Sequence, residues 1–288
     1  MSTSDNDSRD WVEQMLETAR PALVVSREDL VGGIDLGAAR LIPLAEAPGA
    51  AGPEGAGMMA GRAAMAGSRY NDAITHFTNL TSDVKCPPNL WVQAMFAYGD
   101  ALMAQKPADT NWLANYGLAI RVFGDLLQRY PTNPIALLAW GELAKCHKQF
   151  GDSGTSNATF CFSQLMNSPV ANVAARSEAQ VGLAGVILDQ AQRAPADARV
   201  LLVRQAQSNL LEVVRGTNLR EGEAQDPFWV KKAGLEAAEW HERLGEWEQA
   251  EKLYVRLQGL LPVLRGRFQQ KIDQAREHLN PEKSPPRG

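Results

Sequence analysis

Cysteine is scarce. The 288 residues hold Cys86, Cys146 and Cys161, an odd number with no CxxC pair. That excludes a disulfide framework and a thiolate zinc site, and predicts three small buried side chains in a reducing compartment. An excess of positive charge is missing too: 29 Lys and Arg stand against 33 Asp and Glu, a formal net charge of −4. Binding a phosphate backbone requires clustered Lys and Arg, so nucleic acid is excluded as a partner. No apolar run reaches the roughly 18 residues of a membrane-spanning helix. The opening MSTSDNDSRDWVEQ lacks the basic start and apolar middle of a signal peptide. The chain as it stands is expected in the cytoplasm, and in the periplasm if an upstream signal was removed.

Catalytic signatures are incomplete wherever they begin. Gly151-Asp152-Ser153-Gly154 matches the residues around the nucleophilic serine of trypsin-like proteases, but the GP that completes that signature is replaced by Thr155-Ser156. The histidines upstream, His76 and His147, fall in helical frames. A turn is the expectation, with Asp152, Ser153 and Ser156 as cap residues for a helix starting near Ala158. His241-Glu242 begins an HExxH zinc motif, yet Gly245 stands at the second histidine. No GxxxxGK[ST] loop occurs. No catalytic, metal or cofactor residue is assigned, and no cofactor is expected.

The chain divides by composition. Residues 1–47 carry mixed helical signals: Ser8 or Asp10 capping a helix through Trp11, Met15 and Leu16, then the capping-box-like Ser26–Asp29 before Leu30, Val31 and Ile34. The segment PGAAGPEGAG makes 48–56 a linker or loop. From 57 to 279 apolar residues recur at spacings of three and four, with no alternating β-branched stretch, so helices fill that span. The tail 280–288, rich in proline and charge, is expected to be disordered.

A repeat underlies the helical span. SRYNDAITHFTNL, ANYGLAIRVFGDLLQRYP and GEWEQAEKLYVRLQGLLP share one frame: an aromatic residue, two residues, an alanine, three residues, another aromatic. Tyr70, Ala73 and Phe77 fill it first, Tyr116, Ala119 and Phe123 next, then Trp247, Ala250 and Tyr254. Pro131 and Pro262 each follow the alanine by twelve residues. This frame resembles the second helix of a tetratricopeptide repeat. Trp140, Leu143, Ala144 and His147, with Gly151 closing the turn, resemble the first helix, as do Trp91, Ala94 and Tyr98. Recognisable units fall at roughly 57–82, 89–134, 137–170 and 230–262. A degenerate pair, Val173–Gln192 and Ala196–Leu219, keeps the frame at Ala206 and Leu210. The stretch RYPTNPIALLAWGELAKCHKQFGD looks most like the bacterial envelope-type repeats of barrel-assembly and Tol-Pal-associated proteins.

The resemblance implies an all-α fold: a right-handed superhelical array of antiparallel helix pairs, closed by a C-terminal cap helix over Leu264–Leu279. It also implies a non-catalytic scaffold or adaptor that binds a peptide or partner helix on a concave face lined by first helices. An envelope assembly factor whose export signal is absent is the alternative. On that face the register places Asn89, Phe96 and Asp100, then Lys145, Lys148 and Gln149, then Lys232, Leu235, Glu239 and Arg243. The resemblance further implies that Lys145 and Lys148 could hold a partner's C-terminal carboxylate.

Overall fold

The computed structural model describes residues 53–105 and 113–279. The expectations for 1–47, for the tail 280–288 and for Trp112 lie outside the described residues. The chain falls into two compact units, one up to Leu90 and one from Trp91 onward. Among the described residues every regular element is helical.

In the first unit α1 (Pro53–Ala66) and α2 (Tyr70–Ser82) form an antiparallel pair. α1 opens on Pro53, whose fixed φ suits the first turn of a helix, so the proline- and glycine-rich segment 48–56 ends inside α1. The pair closes on one knob in one notch. Ala73 and Phe77 of α2 are fully buried. A Cβ on Gly61 of α1 would lie 2.3 Å from the Phe77 ring. Only a bare backbone lets the two helices approach so closely.

α3 (Pro88–Ala104) starts in the last residues of the first unit and runs into the second, which goes on with α4 (Leu113–Arg129), α5 (Pro134–Lys148), α6 (Asp152–Asn167), α7 (Val173–Arg193) and α8 (Ala196–Arg215). The second unit ends with α9 (Pro227–Arg243), α10 (Trp247–Leu260), a 3₁₀ turn at Pro262–Leu264, and α11 (Arg265–Leu279). From α4 on, each helix packs on the next. The second helices carry the alanine–aromatic frame into the core: Ala119 and Phe123, Ala206 and Leu210, and Ala250 and Tyr254 are all fully buried. The first helices supply the notches. A Cβ on Gly99 would meet the Phe123 ring at 2.3 Å, and one on Gly234 would meet Leu257 at 2.4 Å. Gly182 on α7 receives Phe162 from α6 at 2.3 Å. α11 buries Phe268, Ile272 and Ala275 and turns Gln269, Gln270, Asp273 and Gln274 outward. His278 stacks on Trp247 at 3.8 Å between ring centroids, which fixes this last helix on α10.

Helix starts follow local chemistry. Asn133, Asn172 and Asp226 cap α5, α7 and α9 through side-chain oxygens that accept backbone N–H groups, and Pro134 and Pro227 occupy the first helical turn. One start differs from the sequence expectation. α6 begins at Asp152, not near Ala158. Gly151, at φ +60°, reverses the chain in a single residue, so Asp152–Asn157 form the opening turns of the helix. Ala158 and Phe162 then carry the repeat frame and are buried. Gly154 is a steric requirement, because a Cβ there would sit 1.8 Å from the carbonyl oxygen of His147.

The loop between α8 and α9 is strapped down rather than free. Buried Arg176 of α7 donates to the carbonyl oxygens of Ala171 and Asn218 and pairs with Glu223. Arg220 donates to the carbonyls of Ser168, Pro169 and Ala171. Gln225 satisfies the carbonyls of Val213 and Val214 at the end of α8. Arg176→Ala should therefore cost about 3 kcal/mol, the scale for breaking a buried charge network. Amide exchange should accelerate across 216–226 and stay unchanged in α1 and α2.

Candidate partner-binding face

Three first helices of the second unit lie side by side: α5 touches α7, and α7 touches α9. Glu142 and Lys145 sit one turn apart on α5, with Lys148 a turn further on. Glu178, Gly182, Gly185 and Asp189 follow one face of α7, and Lys232, Glu236 and Glu239 one face of α9. These faces meet in an ionic network. Lys145 Nζ lies 2.9 Å from Glu142 Oε1 and 2.9 Å from Glu178 Oε1, and both carboxylates are buried. Lys148 Nζ lies 3.1 Å from Asp189 Oδ2. It reaches across α7 where Gly185 leaves room: a Cβ there would stand 3.2 Å from Nζ.

The α9 side is half-buried and electrically coupled to the same groups. Burial pulls the Lys232 ammonium below its ordinary pKa; Glu236 opposes that shift, and Lys145 and Lys148 add to it. Burial pushes the Glu236 carboxyl up, against the pull of Lys232 and Lys148, while Glu239 and Asp189 push it further. The Lys232 ammonium also stands over the Trp229 ring, 5.4 Å from its centroid.

The structure brings Lys145, Lys148, Lys232 and Glu239 together as the register implied. Leu235 is half-buried and Gln149 exposed at the end of α5. Arg243 lies in the last turn of α9 over the Trp240 ring. Phe96 is placed differently: it is 6% exposed and packs edge-on against Phe123 at 5.6 Å, so it is a core side chain and offers no contact surface. Asp100 is half-buried, and its charge reaches Cys146 together with that of Glu142. Asn89 belongs to the first unit. The carboxylate-holding role expected of Lys145 and Lys148 meets an obstacle, because their ammonium groups are already matched by Glu142, Glu178 and Asp189.

Glu142, Glu178, Asp189 and Glu236 were not among the residues expected here. The signal for Glu142 and Glu236 was their spacing from Lys145 and Lys232, three and four residues respectively. Glu178 and Asp189 lie on the degenerate pair, whose repeat frame survives in its second helix alone.

Behind this layer, α4 and α6 stand apart over α5. They enclose a trough of about 510 Å³ walled by Ile120, Gly124 and Leu127 on one side and Asn157 and Phe160 on the other, with Trp140, Leu143 and His147 as its floor. Burial lowers the His147 pKa, so the imidazole is neutral at pH 7. Ser153 is exposed in the first turn of α6, within the helix and not in a loop before it, and its Oγ donates to the Phe150 carbonyl at 2.9 Å. Burial raises the Cys146 thiol and pushes Cys161 up to about 11, so neither is a nucleophile in the folded chain. Among the described residues no group of three His, Cys, Asp or Glu is arranged to hold a metal, and no helix is long and apolar enough to cross a membrane. No protein-family model matches the chain, and none of the curated proteins matches it.

Proposed function

We propose that the chain is a non-catalytic interaction protein. In this reading its helix pairs form a tetratricopeptide-like right-handed superhelix, and the first-helix face of α5, α7 and α9 holds a peptide or helix of another protein. The observation that carries the reading is an asymmetry between layers. The first helices α5, α7 and α9 touch in turn, whereas the second helices α4 and α6 are parted by the trough over α5. An array built this way curves toward its first helices, and a curved helical surface suits an elongated partner better than a small substrate.

The test is a selection of random dodecamer peptides displayed on phage against the immobilised full chain. Binders should compete for one site. Glu239→Trp, a bulky side chain at an exposed position of α9, should abolish binding, while Phe160→Ala in the trough should leave it unchanged. Binders that ignore Glu239→Trp and fail on Phe160→Ala would move the site to the trough and contradict the reading.

A further inference from the structure

The trough over α5 is a second surface, apart from the first-helix face. α5 turns Trp140, Leu143 and His147 toward the trough, and Lys145 toward Glu178 of α7 on another side of the helix. The trough's volume, about 510 Å³, falls within the range of small-molecule sites, and its walls are mostly apolar as theirs are.

Two observations point to what fits there. The first is an aromatic corner left open. Phe160 is 55% exposed, although Ala158, Cys161 and Phe162 beside it on α6 are buried. Its ring is fixed edge to face on Trp140, 5.8 Å between centroids at 81°. A ring held in place and still exposed offers its surface to another flat apolar group. On the opposite wall Gly124 keeps α4 back, since a Cβ there would meet nothing within 4 Å. The second observation is polar capacity with neither charge nor partner. Among the described residues the side chains of His147, Asn157 and Gln128, which all line the trough, make no hydrogen bond or ion pair. Each is a neutral group that both donates and accepts, His147 because burial lowers its pKa. No lining residue is ionised. The charged residues of α4, Arg121, Asp125 and Arg129, line none of the trough, and the one acid of α6, Asp152, pairs with Arg193.

We propose that the trough binds a neutral aromatic small molecule carrying a hydroxyl or amide group, with its ring against Phe160 and Trp140 and its polar group on His147. An anion finds no cation on these walls and a cation finds no carboxylate, so either would lose hydration without a partner. The inference does not rest on the first-helix reading: failure of the dodecamer selection leaves it standing, and its own failure leaves that reading standing.

Equilibrium dialysis of the full chain at pH 7 against three probes of one ring system tests it: neutral 2-naphthol, anionic 2-naphthoate and cationic 2-naphthylmethylammonium. 2-Naphthol should bind at one site with a Kd on the order of 100 µM, the scale for a ligand of this size. The two ions should bind at least about tenfold more weakly. Gly124→Leu should weaken 2-naphthol at least about tenfold by filling the trough. Its melting temperature should not fall, because leucine is the better helix former. Phe160→Ala should weaken binding by a similar factor, and His147→Phe, which keeps a ring and removes both nitrogens, by about fivefold. Glu239→Trp on the first-helix face should leave it unchanged. No saturable binding of 2-naphthol below about 1 mM, or binding that ignores both Gly124→Leu and Phe160→Ala, would overturn the site. Equal or tighter binding of either ion would overturn the neutral class of ligand.

Discussion

Gly182→Ala should destabilise the protein by about 2–3 kcal/mol, although the same change in an ordinary helix interior stabilises by about 0.5–1 kcal/mol. The reversal follows from geometry. The added Cβ would lie 2.3 Å from Cζ of Phe162 and 2.4 Å from Cε1, well inside van der Waals contact. Phe162 is 2% exposed and has nowhere to swing, so α6 and α7 must move apart. Their separation would expose apolar surface on both sides. The matched control is Gly117→Ala on α4, where a Cβ meets nothing within 4 Å and the usual helix stabilisation should appear. Urea unfolding of the two variants should shift the midpoint in opposite directions. Phe162→Leu in the Gly182→Ala background should recover part of the loss, because the shorter side chain vacates the space that the new methyl enters.

Lys145→Ala should cost about 3 kcal/mol or more, a large effect for a lysine that is 28% exposed. The substitution removes the ammonium held by Glu142 and Glu178, two carboxylates that are buried near each other. Repulsion and burial together then raise their pKa values in the folded variant. An acid whose pKa is raised on folding binds more protons folded than unfolded, so stability falls as pH rises through the folded value. The deficit of Lys145→Ala should therefore be largest near neutral pH and shrink as pH falls toward the ordinary carboxylate range near about 4.3. The triple variant Lys145→Met, Glu142→Gln, Glu178→Gln removes all three charges and should recover most of the stability, with little pH dependence left from this site. Thermal melts across a pH series would show the difference. A Lys145→Ala deficit independent of pH would mean that packing of the lysine stem, and not its charge, is what counts.

The sequence made the helix pairs legible because the frame is carried by residues with one structural meaning. Alanine four positions before an aromatic on a helix marks a close crossing with a filled groove beside it, and Ala73 with Phe77 and Ala119 with Phe123 sit at such crossings. The degenerate pair was legible through Ala206 and Leu210 for the same reason. The glycine notches were harder to see. Gly99, Gly182 and Gly234 look like weak points in helices until the facing ring is placed, and that ring lies on another helix. The start of α6 was misjudged because Asp152, Ser153 and Ser156 are good cap residues in isolation. Gly151, in the left-handed region, overrides them by reversing the chain just before Asp152, so only three residues separate α6 from the end of α5 at Lys148.

The charged face was legible only in part. Spacing on one helix placed Lys145, Lys148, Lys232 and Glu239, but it could not show that Lys148 lands on Asp189, 41 residues away in the chain. It also could not show that Lys145 is held between two buried acids. Periodicity within a helix reports which residues share its face. Pairing between helices depends on crossing geometry, which here is set by where glycine lets neighbours approach. Phe96 shows the converse error: it has the register of a surface position, but the Gly99–Phe123 contact draws it into the core. The Arg176 strap has the same character, since its partners lie 42 and 47 residues on, in a loop with no periodic pattern.

The most direct measurement is hydrogen–deuterium exchange of the full chain with and without the tightest peptide from the dodecamer selection. Slowed exchange confined to α5, α7 and α9, with α4, α6 and α8 unchanged, is the expected result. Protection centred on α4 and α6 around the trough, or no protection in any helix, would contradict the assignment of the first helices as the surface that holds a partner.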